Sequence, residues 1–289
     1  MKTHQQLADI AQTVRKLTLA AIYNAESGHP GGALSCSDLL TYCFNNILDI
    51  TPDNATDLTR DRFVLSKGHA APSLYAVAAT QDLMTSQEAL SLRKFGSVAQ
   101  GHPDKLSMNW LDASTGSLGQ GFANALGMAM SYQHQGAGAK VVTLLGDGEL
   151  QEGQVWETAM CAAHFKLGNL TAIIDYNKLQ SDDLNQNIMG LEPLKQKFEA
   201  FGWHVMEING HSFSEIEDAF NQALNETSKP SMIIAHTIKG KGVSYMEEIP
   251  TWHGSVRMTR QDTVSALTEL NMSEAAAEAW LLESVQRVD

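Results

Sequence analysis

The chain has few cysteines, a minority of basic residues and no long apolar run. Its three cysteines, Cys36, Cys43 and Cys161, lie in apolar surroundings without metal-ligand spacing, so we expect core thiols in a reducing compartment. Lysine and arginine number 20 against 33 acidic residues, and the net charge of −13 argues against non-specific binding to nucleic acid or anionic membranes. No stretch of about 18 apolar residues is present, so we expect no membrane span.

The N-terminus and the overall composition are typical of one cytoplasmic globular domain. The first residues, MKTHQQLADIAQ, lack the apolar core of a signal peptide. With 289 residues and 43% hydrophobic content, the chain can bury a large core, and it contains no repeat, low-complexity tract or long linker. We therefore predict a single domain over residues 1–289, with a helical tail over about residues 259–289.

Strand-like and helix-like segments alternate along the chain. Apolar runs predict strands at residues 62–66, 141–145, 170–174, 203–208 and 231–236. Helical periodicity predicts helices near residues 5–25, 37–48, 70–79, 119–133, 213–226, 260–270 and 274–287, and a helix-like stretch also joins the runs at 141–145 and 170–174. Glycine-rich segments predict loops at 28–32 and within 95–120, and a polar loop follows Asn177 up to about Pro193. This alternation predicts an α/β fold: a doubly wound, mostly parallel sheet with helices on both faces.

Two of these strands end in polar residues that suit a cation. The run at 141–145 ends at Gly146-Asp147-Gly148, and the run at 170–174 ends at Asp175-Tyr176-Asn177. Because neighbouring parallel strands end at one edge of a sheet, Asp147 and Asn177 can face the same point. Their oxygen atoms suit Mg²⁺ or Ca²⁺, which usually arrives with a phosphate group. A Gly-Asp-Gly segment by itself is more often an ordinary turn, and no Lys-Ser/Thr pair follows it as in a P-loop.

Four of the ten histidines lie in glycine-bounded loops after predicted strands or helices: His29, His69, His102 and His253. Imidazole donates hydrogen bonds to oxygen and exchanges protons near neutral pH, so these side chains could line a pocket for a polyhydroxylated, phosphorylated ligand. For each one alone, a solvated loop histidine is an equally good interpretation. His211 has the same local context, and we interpret it as structural.

Taken together, these segments resemble the N-terminal, diphosphate-binding part of transketolase. The resemblance covers about residues 7–255 and rests on SGHPGG (27–32), LSKGHA (65–70), GHP (101–103), TGSLGQG (115–121), GDGELQEG (146–153), DYNKLQ (175–180), IKGKG (238–242) and WHG (252–254). It implies a thiamin diphosphate-binding fold, thiamine diphosphate as cofactor, and Mg²⁺ or Ca²⁺ as the metal. Ser117 stands where many family members have proline.

The resemblance also implies roles for individual residues. Metal binding is implied for the side chains of Asp147 and Asn177 and the carbonyl of Leu179. Cofactor binding is implied for His69, Gly116, Leu118, Gly148, Asn177 and His253, of which Gly116 accepts from the aminopyrimidine and Leu118 packs on the thiazolium. The four loop histidines would line the substrate channel and handle hydroxyl protons. Glu152 would join an acidic network between subunits or be an ordinary surface glutamate, and Lys241 could lie near the diphosphate.

Transketolases continue beyond this part with a pyrimidine-binding domain and a C-terminal domain, whereas this sequence ends at Asp289. The resemblance therefore implies one subunit of a split transketolase, which pairs with a separate C-terminal chain in an α₂β₂ heterotetramer and moves a two-carbon ketol unit between sugar phosphates. Three alternatives remain open at this point. They are a specialised split transketolase for an unusual sugar phosphate or sulfosugar, a decarboxylating subunit of a 2-oxoacid dehydrogenase, and a non-catalytic binding module.

Overall fold

The computed structural model describes residues 1–181, 183–286 and 288, and its centre is a five-stranded parallel sheet. The described residues form seven strands: β1 (Arg62–Leu65), β2 (Val141–Gly146), β3 (Leu170–Tyr176), β4 (Leu179–Gln180), β5 (Asp183–Leu184), β6 (His204–Asn209) and β7 (Ser231–His236). The main sheet has the order β1-β2-β3-β7-β6, and β4 and β5 form a short antiparallel hairpin. The predicted α/β class and the five predicted strands are confirmed.

Twelve α-helices in the described residues surround the sheet. They are α1 (His4–Ala25), α2 (Pro30–Ser35), α3 (Ser37–Tyr42), α4 (Ala71–Ala79), α5 (Ser86–Leu90), α6 (Gln120–Gln135), α7 (Gly153–His164), α8 (Asn185–Ile188), α9 (Leu194–Phe201), α10 (Phe213–Asn225), α11 (Arg260–Glu269) and α12 (Glu274–Gln286). A π-helical turn, Cys43–Ile47, extends α3, and 3₁₀ turns occupy Gly68–Ala70, Gly148–Gln151 and Pro250–Trp252.

The strands carry apolar side chains on both faces because helices cover both sides of the sheet. Every residue of β2 and β3 is buried. Alternate residues belong to two separate cores: Leu144 and Ile173 pack with α1, α3, α4 and α10, whereas Leu145 and Ile174 pack with α6, α7 and α9. This pattern is typical of parallel sheets and explains why the strands read as continuous apolar runs.

The strand order reverses next to β3. β1, β2 and β3 lie side by side in chain order. The next strand of the main sheet, β6, lies at the far edge, and β7 lies between β6 and β3. Asp175 of β3 is therefore in register with Ala235 of β7, and Tyr176 with His236. In doubly wound sheets such a reversal opens a crevice at the carboxyl ends of the strands, where ligands bind.

Four helices differ from the sequence prediction. The segment at 28–32, which we predicted as a loop, is helical from Pro30, because proline suits the first turn of a helix. Gly31 is needed there for packing, since a Cβ on it would lie 2.8 Å from the carbonyl oxygen of Trp252. The predictions did not include α5 or α8, which are too short to show periodicity, or α9, whose Leu194 and Phe198 have helical spacing.

The terminal helices α11 and α12 pack against α1. Thr259 caps α11: its side chain accepts a hydrogen bond from the backbone N–H of Asp262. Asn24 of α1 donates to the carbonyl of Ser284 in α12 at 3.3 Å. None of the helices in the described residues is long and apolar enough to cross a membrane.

Candidate functional site

A polar cavity of about 370 Å³ lies at the carboxyl ends of the strands, where the strand order reverses. All but two of the residues that the sequence predicts for the site border it: His29, His69, Gly116, Leu118, Asp147, Gly148, Glu152, Asn177, Leu179 and His253. The exceptions are His102 and Lys241. A larger cavity of about 520 Å³ beside Trp156 and Phe201 is lined mainly by apolar side chains, with Lys197 as its charged residue. The polar cavity, although it is the smaller of the two, therefore offers the charged and polar groups that could hold a charged ligand.

Asp147 supplies a buried carboxylate at the end of β2. Its side chain is only 2% exposed. One oxygen accepts from the backbone N–H of Gly148 at 2.8 Å and the other from that of Lys178 at 2.5 Å. Burial and the nearby charge of Asp175 raise the pKa of Asp147 to about 6. A cation beside this carboxylate would relieve both effects.

Both oxygens of the second carboxylate, Asp175, accept hydrogen bonds from neighbouring side chains. Its Oδ2 accepts from Lys67 Nζ and from Ser35 Oγ, each at 2.5 Å, and its Oδ1 accepts from Thr237 Oγ1. Lys67 also donates to the carbonyl of Gly32 at 2.9 Å. Although burial opposes it, the charge of Lys67 holds the pKa of Asp175 below its usual value. Lys67 borders the cavity, and its pairing with Asp175 leaves Asp147, rather than Asp175, available to a cation.

A buried lysine meets the cavity from the segment after β7. Lys239 is 1% exposed, and its Nζ donates to the carbonyl of Leu179 at 2.8 Å and to Nδ1 of His253 at 2.5 Å. Burial lowers its pKa to about 8, and the charge of Lys67 acts in the same direction. The backbone N–H of Leu179 donates to Oδ1 of Asn177 at 3.2 Å, so these two residues are held together.

Three of the predicted histidines form a compact cluster. The ring centroids of His29 and His69 are 5.3 Å apart, those of His69 and His253 are 5.6 Å apart, and those of His29 and His253 are 6.1 Å apart. Burial first, and neighbouring positive charge second, lower the pKa of His29 to about 4 and that of His253 to about 3. The pKa of His69 is also lowered, chiefly by burial. All three rings are therefore neutral at pH 7.

The fourth histidine, His102, lies beside Gly116 and outside this cluster. A Cβ on Gly116 would lie 3.0 Å from Cδ2 of His102, and the φ of Gly116 is +138°, a conformation that favours glycine. His102 still acts on the cluster, because its charge contributes to the lowered pKa of His29. Gly148 also permits a close approach, since a Cβ there would lie 3.0 Å from Cβ of Gln180.

Sequence reasoning missed four charged residues at this site. Lys67, Asp175 and Lys239 were not assigned roles, and neither was Glu149, whose carboxylate accepts from the backbone N–H groups of Gly119 and Gly146. The lysine singled out instead, Lys241, is half-buried and pairs with Glu247 at 3.4 Å. The available signal was position: each missed residue lies within a few residues of the carboxyl end of a buried strand.

Hard cations fit the oxygen atoms that this site offers. In the described residues, no group of three or more His, Cys, Asp or Glu side chains could hold a metal ion without other ligands. The carboxylate of Asp147, the amide oxygen of Asn177 and the carbonyl of Leu179 form a partial oxygen set. Such a set suits Mg²⁺ or Ca²⁺ when phosphate oxygens of a ligand complete it.

Comparisons with known proteins agree with this geometry. The thiamine diphosphate binding domain of transketolase matches residues 6–276. The 6-deoxy-6-sulfo-D-fructose transketolase subunit SqwG of Clostridium sp. (strain MSTE9) is 42% identical over 92% of this chain and 96% of its own length. A subunit of the apulose-4-phosphate transketolase of Phocaeicola vulgatus is 40% identical over 86% of this chain and 88% of its own length.

Other transketolases match with only part of their length. Human transketolase is 41% identical over 86% of this chain, and the match covers 40% of the human protein. The crystal structure of transketolase from Campylobacter jejuni superposes with a TM-score of 0.88 at 31% identity, over the whole of this chain and 47% of that one. The fold, the site and these matches lead to one conclusion: this chain belongs to the transketolase family and corresponds to its thiamine diphosphate-binding domain.

Proposed function

We propose that this chain is the diphosphate-binding subunit of a two-chain transketolase, which transfers a two-carbon ketol unit from a ketose phosphate to an aldose phosphate. The proposal rests on one observation: Asp147, Lys239 and three neutral histidines line the same cavity, at the point of the sheet where the strand order reverses. Family membership favours this reaction over decarboxylation of a 2-oxoacid. The intact set of buried charges also argues against a non-catalytic module.

The residues present fit a metal–diphosphate group. Asp147, Asn177 and the carbonyl of Leu179 would bind Mg²⁺ or Ca²⁺. The diphosphate would contact the backbone of Gly148, His69, His253 and also Lys239, whose buried ammonium has no carboxylate within hydrogen-bonding distance among the described residues. Gly116 and Leu118 border the same cavity and would contact the ring end of the cofactor. When bound, thiamine diphosphate supplies the electron sink for cleavage of a carbon–carbon bond.

The chain's own contribution to the chemistry is to hold and move protons at the sugar oxygens. His29 and His253 are neutral at pH 7 because burial lowers the pKa of each. A neutral imidazole can donate a hydrogen bond at one nitrogen and accept a proton at the other. His29 borders the cavity, and its buried Nδ1 makes no hydrogen bond within the part of the chain that the structure describes, so this ring has a nitrogen that no protein group occupies. His102, beside Gly116, would line the outer channel.

The proposal includes a second subunit. The two relatives that match along almost their whole length are both named as subunits, whereas this chain spans 40% of human transketolase. We infer that a separate chain supplies the pyrimidine-binding domain and that the two form an α₂β₂ heterotetramer. Glu152 supports this arrangement because it is exposed at the rim of the cavity, where it could join a network between subunits.

A second candidate differs in the sugar. Two relatives with similar identity, 42% and 40%, are named for 6-deoxy-6-sulfo-D-fructose and for apulose-4-phosphate. A specialised transketolase for a sulfosugar or an unusual sugar phosphate therefore fits this chain as well as one for common ketose phosphates. Such a specialised activity would place the protein in a catabolic pathway.

The experiment is a donor panel with the assembled enzyme. The chain is purified with its co-purifying partner, supplied with thiamine diphosphate and Mg²⁺, and offered common ketose phosphates, 6-deoxy-6-sulfo-D-fructose and apulose-4-phosphate, with an aldose phosphate as acceptor. Ketol transfer from one donor supports the proposal and identifies the sugar class. Decarboxylation of a 2-oxoacid without ketol transfer, or a chain that purifies without a second subunit and is fully active, would overturn it. Asp147→Asn serves as the inactive control.

A further inference from the structure

A buried charged cluster, which does not border the cavity, contacts the segment that carries Lys239. Arg15 of α1 binds Asp38 of α3 in a bidentate pair, with Nη1 3.0 Å from Oδ1 and Nη2 2.6 Å from Oδ2. His211, in the turn after β6, places Nδ1 2.7 Å from the same Oδ2. Arg15 and Asp38 are each 6% exposed. Although burial opposes it, the charge of Arg15 keeps the pKa of Asp38 below its usual value.

The partners of His211 fix its tautomer. The backbone N–H of Ile238 points at Nε2 from 2.9 Å, and an N–H group can only donate. Nε2 must therefore be the unprotonated nitrogen, and Nδ1 carries the proton that is donated to Asp38. In this state the imidazole connects a buried carboxylate to a backbone amide. The same ring in its other tautomer, or protonated on both nitrogens, would place a proton against the amide of Ile238.

The cluster holds the backbone on both sides of Lys239. His211 accepts from the N–H of Ile238, immediately before the lysine, and Nε of Arg15 donates to the carbonyl of Lys241, two residues after it, at 3.1 Å. Between these two contacts, the N–H of Gly240 donates to the carbonyl of Gly31 at 3.0 Å. Asp38 pairs with both Arg15 and His211, so one carboxylate orients the two side chains that bond to this segment.

We propose that Arg15, Asp38 and His211 form a clamp that positions Lys239 in the cofactor cavity, with His211 as a positioning residue rather than a structural one. This inference rests on the proposed function, because it takes the diphosphate as the group that Lys239 meets. The side chain of Lys239 reaches Leu179 and His253 from a short segment that continues through two glycines, Gly240 and Gly242, with φ of +80° and +95°. Glycine gives the backbone beside Lys239 unusual conformational freedom, so contacts with neighbouring groups help to fix the position of the lysine.

The first test separates the acceptor role of His211 from its bulk. Thiamine diphosphate affinity is measured by calorimetry on the chain assembled with its partner, in the presence of Mg²⁺. His211→Gln can keep an oxygen acceptor near Nε2, and we expect affinity within about threefold of wild type; His211→Phe removes the acceptor, and we expect a loss of roughly tenfold, the size of one hydrogen bond. His4→Phe, which removes a histidine paired with Glu217 at the start of α1, is the matched control and should change nothing. Equal losses in the Gln and Phe variants would overturn the proposal.

The second test asks whether His211 acts through Lys239. In a Lys239→Met background, His211→Phe should weaken cofactor binding by less than about twofold, because the group that the clamp positions is already absent. If the two substitutions weakened cofactor binding independently, so that their fold-losses in affinity multiplied, His211 would have only a structural role and the proposal would be overturned.

The third test needs no cofactor. Hydrogen exchange at the amide of Ile238 should accelerate at least about tenfold in His211→Phe and remain slow in His211→Gln, while exchange in β2 stays unchanged. An unchanged rate in His211→Phe would overturn the clamp. If the wild-type complex binds no thiamine diphosphate, the proposed function fails, and this measurement still decides whether the clamp exists.

Discussion

Replacing Lys239 by methionine should weaken thiamine diphosphate binding without harming the fold. Methionine keeps an unbranched stem of similar length but removes the ammonium that donates to Leu179 and His253. The matched control is Lys241→Met, two residues away. Lys241 is half-buried and pairs with Glu247 at 3.4 Å, and its own contact with Arg15 is through the backbone carbonyl, which the substitution keeps.

The size of the effect follows from the burial of Lys239, which is 1% exposed. A hydrogen bond from a charged donor contributes about 1.5–3 kcal/mol, so losing the one to the diphosphate predicts a Kd about 10- to 150-fold higher. The Lys241 variant loses only a partly exposed ion pair and should stay within about twofold. Calorimetric titration of both complexes with thiamine diphosphate at fixed Mg²⁺ measures the difference. Equal Kd values for the two variants would refute the assignment of Lys239.

Thermal unfolding of the cofactor-free chain provides an independent check with a defined sign. The pKa of Lys239 falls from 10.5 to about 8 on folding, chiefly through burial. Between pH 8 and 10.5 the unfolded lysine binds a proton that the folded one does not, so this group makes the wild-type chain more stable as pH rises. The Met variant lacks this contribution. Its melting temperature at pH 7 should equal or exceed that of wild type, and the difference should shrink towards pH 10; a clear loss of stability at pH 7 would contradict this account.

Three further predictions concern other parts of the cavity. Asp147→Asn should raise the Mg²⁺ concentration needed for half-maximal cofactor binding by more than about tenfold, since an ionised ligand is lost, and a titration showing no change would remove Asp147 from the metal site. Gly116→Ala should destabilise the chain by about 1–3 kcal/mol in chemical denaturation, because its φ is +138° and the new Cβ would meet His102. The pKa of His29 falls from 6.5 to about 4 on folding, so the wild type should lose stability as pH drops through this window. At pH 5 the loss of stability in His29→Phe should be smaller than that of the wild type by about 1 kcal/mol. Equal decreases of the melting temperature in the two proteins would disprove this.

Much of the fold could be predicted from the sequence because β2 and β3 are buried on both faces and therefore appear as uninterrupted apolar runs. The helix at Pro30–Ser35 could not, because its glycines are read locally as turn residues. Their actual role depends on a distant segment: Gly31 lies against Trp252, more than two hundred residues later in the chain. Close packing of this kind has no local pattern in the sequence.

The candidate site was predictable to a similar degree. Strand ends placed Asp147 and Asn177 together, and the family resemblance added the histidines of the cluster. The pattern could not distinguish Lys239 from Lys241, since both lie in one glycine-rich segment and only the packed structure shows which side chain is buried. His211 resembled the other loop histidines, and its partners, Asp38 and Ile238, lie on elements that the sequence does not bring together.

The contact between Lys239 and the carbonyl of Leu179 affects how a metal would enter the site. Under the ligation proposed above, a divalent ion would bind an oxygen atom that accepts from the ammonium of Lys239 in this structure, so the two cations would compete for one carbonyl. This buried oxygen has a partner without the ion and would have one with it. The released ammonium would then be free to turn towards the diphosphate that accompanies the ion. Metal and cofactor should accordingly bind as a pair, each favouring the other through a single side chain.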